Sequence, residues 1–475
     1  MGGLQRNTLV VLAAVVGLVA LMAVVLVVVL DPSAYKARLE AAASRAVGLE
    51  VRVGGPLQLA WFVGARVTLQ DVHVRNRNRD VAVASQVQIG VAFVPLLAGR
   101  IQVTHVAVDH ARLTLQRDRS GLLNVESEQA STQALPALDL PSVTVTDASF
   151  AYVDAQSATS GEFAHCQMDM QALRAPAAIP REIVRQMSFT ARVACSAVQA
   201  GGAQWSDLTF AVDAQRGVLE VQPLVVRAYE ATGHAHLHLD LSGAVPRMDM
   251  QVTLPQLSVA PFFKALAFKQ QATGRVDLSA TLAMQGLSAA ALRQSATGRI
   301  SLRGTDITVY GSDLDATVAR FESSQAFDLL DVSAFFVAGP LGLVVTRGYD
   351  LARVERPTGG KSDIRILVSD WAVARGIARA QDVALATPTN RIALKGALDL
   401  VHEQFEDVTV AVVDARGCVT AQQTLHGSLR QPQVDPASAL GSFAAPALGL
   451  LRKGGQILRG GACDVFYAGT VAAPG

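Results

Sequence analysis

The chain has 475 residues, half of them apolar, and only 17% are charged, against a usual share of about 25%. Its 41 basic and 40 acidic side chains leave no net charge to steer it to nucleic acid, and no RNP motif, helix-turn-helix or basic arm is present. So few charges imply either more apolar surface than one two-layer core needs or a second apolar surface to cover.

Residues 1–7 form a short leading tail. From Thr8 to Leu30 no residue is charged, and all but Thr8 are apolar or glycine. As a helix this stretch would measure roughly 33 Å, enough to cross a bilayer core. No small-x-small site follows, so the segment reads as a retained anchor and not a cleaved leader. Arg6 precedes it, while Lys36, Arg38 and Arg45 follow. Counted naively, that asymmetry puts the body in the cytoplasm, although long domains cross largely regardless of charge.

Asp31 and Pro32 can start a helix that Gly48 ends. Short alternating runs then follow one another: Val51 and Val53, Val67 and Leu69, Val72 and Val74, Val87 to Val91, Val106 and Val108, Leu113 and Leu115. This is the period of half-buried strands. Residues 31–125 thus make an N-terminal helix-and-strand region, and the Ser-, Gln-, Ala- and Pro-rich residues 126–141 read as a linker. Alternation resumes over 142–475, notably at Leu237, Leu239 and Leu241, at Val252 and Leu254, at Val276, Leu278 and Leu282, and at Ile392 and Leu394. These residues are the candidate lining of an apolar groove. Short helices are expected at 261–269 and 314–330. The apolar stretch 441–458 is too short for a second span.

The expected fold is therefore mainly β: one N-terminal transmembrane helix, then a long, curved antiparallel sheet with an apolar groove and a few short helices. More than about ten strands cannot stay flat and open. Curling such a sheet about an apolar face makes a trough.

Four cysteines fall into two local couples, Cys166 with Cys195 and Cys418 with Cys463. None has Cys-x-x-Cys spacing, so two disulfides in an oxidising compartment are one reading and four separate buried thiols the other. His234, His236, His238 and Asp240 share one side of a strand, but Leu237 and Leu239 define its buried side, so a wet polar face is expected in preference to a metal site. His402 to Glu406 departs from a zincin motif, with Glu406 in the place of the second histidine. Phe335, Phe336 and Val337 fit a core plug or a lipid-contacting element. No nucleophile elbow, Walker loop or dinucleotide fingerprint occurs. No catalytic residue, metal or cofactor is expected, and the chain reads as a non-enzyme.

One resemblance sharpens this picture. Asp31-Pro32-Ser33-Ala34-Tyr35-Lys36 after an N-terminal span, Leu69 to Asn76, Val94 to Ile101 and Gly121-Leu122-Leu123-Asn124 are similar to the opening of AsmA-like proteins of Gram-negative bacteria. Gly298 to Ile300, Gly311 to Leu314, Arg320 to Gln325, Phe335 to Gly342 and Cys463 to Gly469 continue the likeness. Leu49 and Val125 depart from it. The resemblance implies a single-pass inner-membrane protein with its body in the periplasm. It further implies an apolar β-groove, and phospholipid transport between inner and outer membranes in support of outer-membrane homeostasis. Phospholipids, the inner membrane and outer-membrane or envelope proteins are the partners implied. The alternative is a scaffold for outer-membrane protein assembly acting by strand addition.

Overall fold

The computed structural model describes residues 49–60, 65–92, 102–125, 137–155, 159–177, 185–200, 203–266, 271–311, 313–324, 360–429, 431–435, 438–439 and 463–474, with separate positions within 36–45, at 95 and within 336–340. The expected span at 8–30 and the stretch 441–458 lie outside these. Among the described residues no helix is long and apolar enough to cross a membrane.

The described residues build one large, mostly antiparallel sheet with a few short helices. Its strands begin with β1 (Glu50–Val53), β2 (Leu57–Ala60), β3 (Ala65–Asn76), β4 (Arg79–Val91), β5 (Val103–Asp109) and β6 (Arg112–Arg117). β7 (Leu138–Asp154), β8 (Thr159–Ala175), β9 (Ser188–Ala200), β10 (Ala203–Gln215), β11 (Val218–Ala228), β12 (Ala231–Asp240) and β13 (Arg247–Ser258) follow. The series ends with β14 (Gln271–Gln285), β15 (Thr297–Tyr310), β16 (Lys361–Ala374), β17 (Ile377–Ala386), β18 (Arg391–Asp399), β19 (Gln404–Val413) and β20 (Val419–Ser428), plus the short β21 (Gln431–Val434) and β22 (Ser438–Ala439). From β7 to β20 each strand pairs with the next.

One junction departs from the antiparallel expectation. β5 and β6 both pair with β4, and β7 runs parallel to them, with Val106 opposite Val143 and Leu113 opposite Phe150. A parallel neighbour needs a crossover connection. β7 begins at Leu138, inside the linker expected over 126–141, whose residues 126–136 lie outside the described ones.

Among the described residues, three short helices stand between strands. α1 (Val259–Ala265) falls where a helix over 261–269 was expected, α2 (Ala289–Ser295) was not foreseen, and α3 (Leu314–Ser324) matches the first part of the helix expected over 314–330. Ser288 caps α2 by accepting from the Ala291 N–H at 3.2 Å. Asp313 accepts from the Ala316 N–H in the first turn of α3 at 2.9 Å.

Inside several strands sits an irregular residue. Asp147, His165, Asp207, Gln256, Asp306 and Asp407 have φ between 49° and 55°. Register slips accompany them between Val145 and Ala148, Ser206 and Thr209, and Leu254 and Leu257. An inserted residue shifts the side-chain parity by one, which is why Leu254 and Leu257, or Phe405 and Val408, three apart, join the same core. Aspartate suits such positions because its short polar side chain tolerates the left-handed region.

The main core lies on one face of β13 to β20, beneath α1, α3, Phe336 and Val337. On the opposite face of β16 to β19, Val368, Ala384, Ala393, Ala411 and Val413 pack under Tyr467 and Val471 of the C-terminal segment. That segment is fastened by the Cys418–Cys463 disulfide. Tyr467 Oη donates to Asp382, and Arg391 Nη1 donates to the Val471 carbonyl at 3.0 Å. Burial and the adjacent Asp382 push the Tyr467 hydroxyl well up.

Leu302 lies at the centre of the main core, 1% exposed. Leu302→Ala is expected to cost about 2–5 kcal/mol, read as a lowered urea midpoint with an unchanged slope.

Candidate functional site: an apolar face shared by successive strands

Cross-strand register sets the site. Leu57 faces Leu69, which faces Val87, then Val108 and Val145. The same row continues through Met168, Val193, Phe210, Leu224, Ala235 and Val252. It ends through Ala280, Ile300, Trp371 and Ala380. No polar side chain interrupts it from β2 to β17. A neighbouring row runs Val67, Ile89, Val106, Val143, Met170, Ala191, Val212 and Val221. It goes on through Leu237, Met250, Leu282, Gly298, Val373, Ala378 and Leu398. Side chains directly opposite across strands lie about 4.5–5.5 Å apart at Cβ, so the two rows form one continuous hydrocarbon surface.

Exposure divides this surface. Along β2 to β5 and β7 to β13 the row residues are half-buried, with Leu69 on β3 and the small Ala191 on β9 as the exceptions; from β14 onward they are closed off, apart from the half-buried Gly298 and Ala380. Among the candidate lining residues, Leu237, Leu239, Leu241 and Val252 are half-buried. Leu254, Val276, Leu278, Leu282, Ile392 and Leu394 instead belong to the molecule's own core. Phe262 and Phe263 of α1, Val318 of α3, Phe336 and Val337 fill the face there. Ser369 holds the plug by donating to the Phe336 carbonyl at 2.7 Å while accepting from the Trp371 indole N–H at 2.7 Å. Of the Phe335–Val337 cluster, Phe335 lies outside the described residues.

At the other end a small cluster gathers around β1 to β4. Ala43, in the helical stretch following the expected span, packs with Leu57, Val67, Val87 and Ile89 against Val51, Val53, Leu69 and Val72. The same stretch shields the sheet edge, since the Val51 N–H donates to Ser44 Oγ and the Val53 N–H to Glu40 Oε1, both at 2.8 Å. At the far edge β20 is covered by β21 and β22.

Both expected disulfides are formed. Cys166 and Cys195 face each other on β8 and β9 in a cluster with Val198 and Leu208 on the apolar side.

The histidines lie elsewhere. His236 and His238 meet Glu220 of β11, a partner the sequence did not reveal because it lies on another strand. His236 Nε2 sits 3.0 Å from Glu220 Oε2. Hydrogen bonds from His238 and then His236 hold the Glu220 carboxyl below its ordinary range. His234 is exposed, and Asp240 binds the Ser242 N–H and hydroxyl. His402 lies in a turn against Asp399 at 2.6 Å.

The AsmA family model matches residues 4–177. Over that stretch the chain is AsmA-like. The matched segment includes β1 to β8. No curated protein and no solved structure matches the chain.

A carboxyl whose pKa is lowered by folding adds stability above its unfolded value, near 4.3 for glutamate, and loses it as pH falls further. Glu220→Gln is therefore expected to lower stability at pH 7 by under about 1 kcal/mol, since the pair is partly exposed. The gap to the parent should narrow as pH falls below about 4.3; urea midpoints at pH 7 and in acid check this.

Proposed function

We propose that this is a non-enzymatic envelope protein, held in the inner membrane by residues 8–30 with its body in the periplasm, whose apolar sheet face shields acyl chains as phospholipids move between membranes. The observation that carries the reading is the pair of uninterrupted apolar rows, half-open over β5 and β7 to β13. Each methylene removed from water is worth about 0.8 kcal/mol, so a chain of some sixteen carbons gains on the order of 10 kcal/mol from a dry lining. Such a surface grips hydrocarbon without polar contacts and so selects weakly among headgroups. The AsmA-like match and the two disulfides, which suit an oxidising compartment, support an envelope role.

Strand addition, by which outer-membrane or envelope proteins could be assembled, has less support. It needs a free sheet edge. Here β1 is covered by Ser44 and Glu40, and β20 by two short strands, the first containing Pro432.

Leu237→Asp combined with Met168→Asp puts charge on the open face and spares the core. With the full chain in acceptor vesicles, extraction of a fluorescent phospholipid from donor vesicles is expected to slow about tenfold or more. Gln251→Asp, on the other face, should leave the rate unchanged. An unaltered rate in the double variant contradicts the proposal.

A further inference from the structure

Away from the apolar rows, one rim of the sheet has a character of its own. Antiparallel pairing returns every second turn to the same side. The approach to β9 and the turns after β10, β12, β14, β16 and β18 follow one another there, tied by backbone hydrogen bonds. The Arg216 N–H donates to the Met187 carbonyl at 3.1 Å, Leu241 to Gly217 at 2.7 Å and Gly286 to Pro246 at 3.0 Å. Gly376 donates to Ala296 at 3.0 Å and Leu400 to Gly376 at 2.9 Å.

This rim is basic. Arg185, Arg216, Arg247 and Arg375 are exposed on it, and Arg293 of α2 is half-buried. Its turn carboxylates are Asp240, Asp399 and Glu403, of which Asp240 is occupied by Ser242 and Asp399 by His402. The opposite rim has no such surplus: Glu230, Asp313 and Asp414 stand in its turns beside Lys264 of α1 and Arg416. Two apolar side chains also break the surface of the basic rim. Leu287 is 76% exposed, more than any other large apolar residue described, and Val245 is 45% exposed. The hydrogen bond from Gly286 to Pro246 holds their two turns side by side.

We propose that this rim is a docking surface for an anionic phospholipid bilayer. Val245 and Leu287 enter the interface, and the five arginines meet lipid phosphates. A single exposed leucine needs no explanation. An apolar tip flanked by Arg247 and Arg293, on a rim with three more arginines, has the two components that surface binding to anionic lipid requires. Guanidinium groups pair with phosphate oxygens, and the tip leaves water for the acyl boundary. An acidic polypeptide would match the charge alone; a bilayer matches the charge and covers the tip. The proposal does not depend on what the apolar sheet face binds. It adds a contact made by the folded body to the anchor proposed at residues 8–30.

The test places the full chain in vesicles of phosphatidylcholine and phosphatidylglycerol that also contain a phospholipid with a spin label near its headgroup. Because the four native cysteines are paired, Val245→Cys or Leu287→Cys can carry a single environment-sensitive dye. Tyr310→Cys, exposed on the opposite rim, is the reference. The dyes at 245 and 287 are expected to shift to the blue and be quenched, and the dye at 310 to do neither. Replacing phosphatidylglycerol by phosphatidylcholine, or raising salt, should lower the quenched fraction. Arg216→Gln with Arg375→Gln, both at exposed positions, should lower the ratio of docked to free by about fivefold per charge. Leu287→Ser, read from the dye at 245, should lower it by about tenfold. Equal quenching at 287 and 310 overturns the proposal. So does quenching at neither, the result that an acidic protein partner would give. Quenching unchanged in phosphatidylcholine alone overturns the part assigned to the arginines.

Discussion

Register between neighbouring strands is the constraint on which the rest of this molecule depends. A sheet face is a continuous hydrocarbon surface only if every strand presents its apolar residues at the same height and to the same side. A one-residue slip anywhere sends the remainder of that strand to the opposite face. Here the rows stay in step from β2 to β17 because the slips are built in. Asp147, Asp207 and Gln256 each occupy a left-handed position inside a strand, and the chain regains the apolar side beyond them. The same residues increase local twist, which coils a long sheet that could not remain flat.

The two ends of the face serve different purposes. From β14 onward it behaves as an ordinary protein interior, with Leu385, Ile392 and Leu398 fully closed off and the opposite face covered by the C-terminal segment. Burial on both sides makes that part the stable anchor of the fold. The earlier strands carry equally apolar side chains with only half the cover. Among the described residues they have no packed second layer, which is the room the proposed hydrocarbon ligand would occupy. Stability and the proposed binding thus draw on one pattern, separated by whether described residues pack back over it.

Much of this was legible in the sequence. Alternation at Leu237, Leu239 and Val252 announces a strand face, and the two cysteine couples proved to be disulfides. What alternation could not reveal is which apolar side chains are covered by others far away in the chain. Leu278 and Leu237 look alike in sequence, and only α1 and the Phe336–Val337 plug separate them. The inserted residues were hidden too, since Gln256 or Asp407 reads simply as a break in a run. Glu220 was missed as the partner of His236 and His238 because its contact is made between strands. The parallel placement of β7 beside β5 depends on a crossover that composition marks only as a loose stretch.

The most direct measurement of this account is carbene footprinting of the full chain in vesicles, using a small apolar precursor that reacts with any exposed surface. If the apolar face is divided as described, Val145, Met168 and Phe210 will be labelled strongly, whereas Ile300, Trp371 and Leu385, on the covered part of the same sheet, will be protected. Uniform labelling of both groups, or uniform protection, would contradict the division and the function built on it.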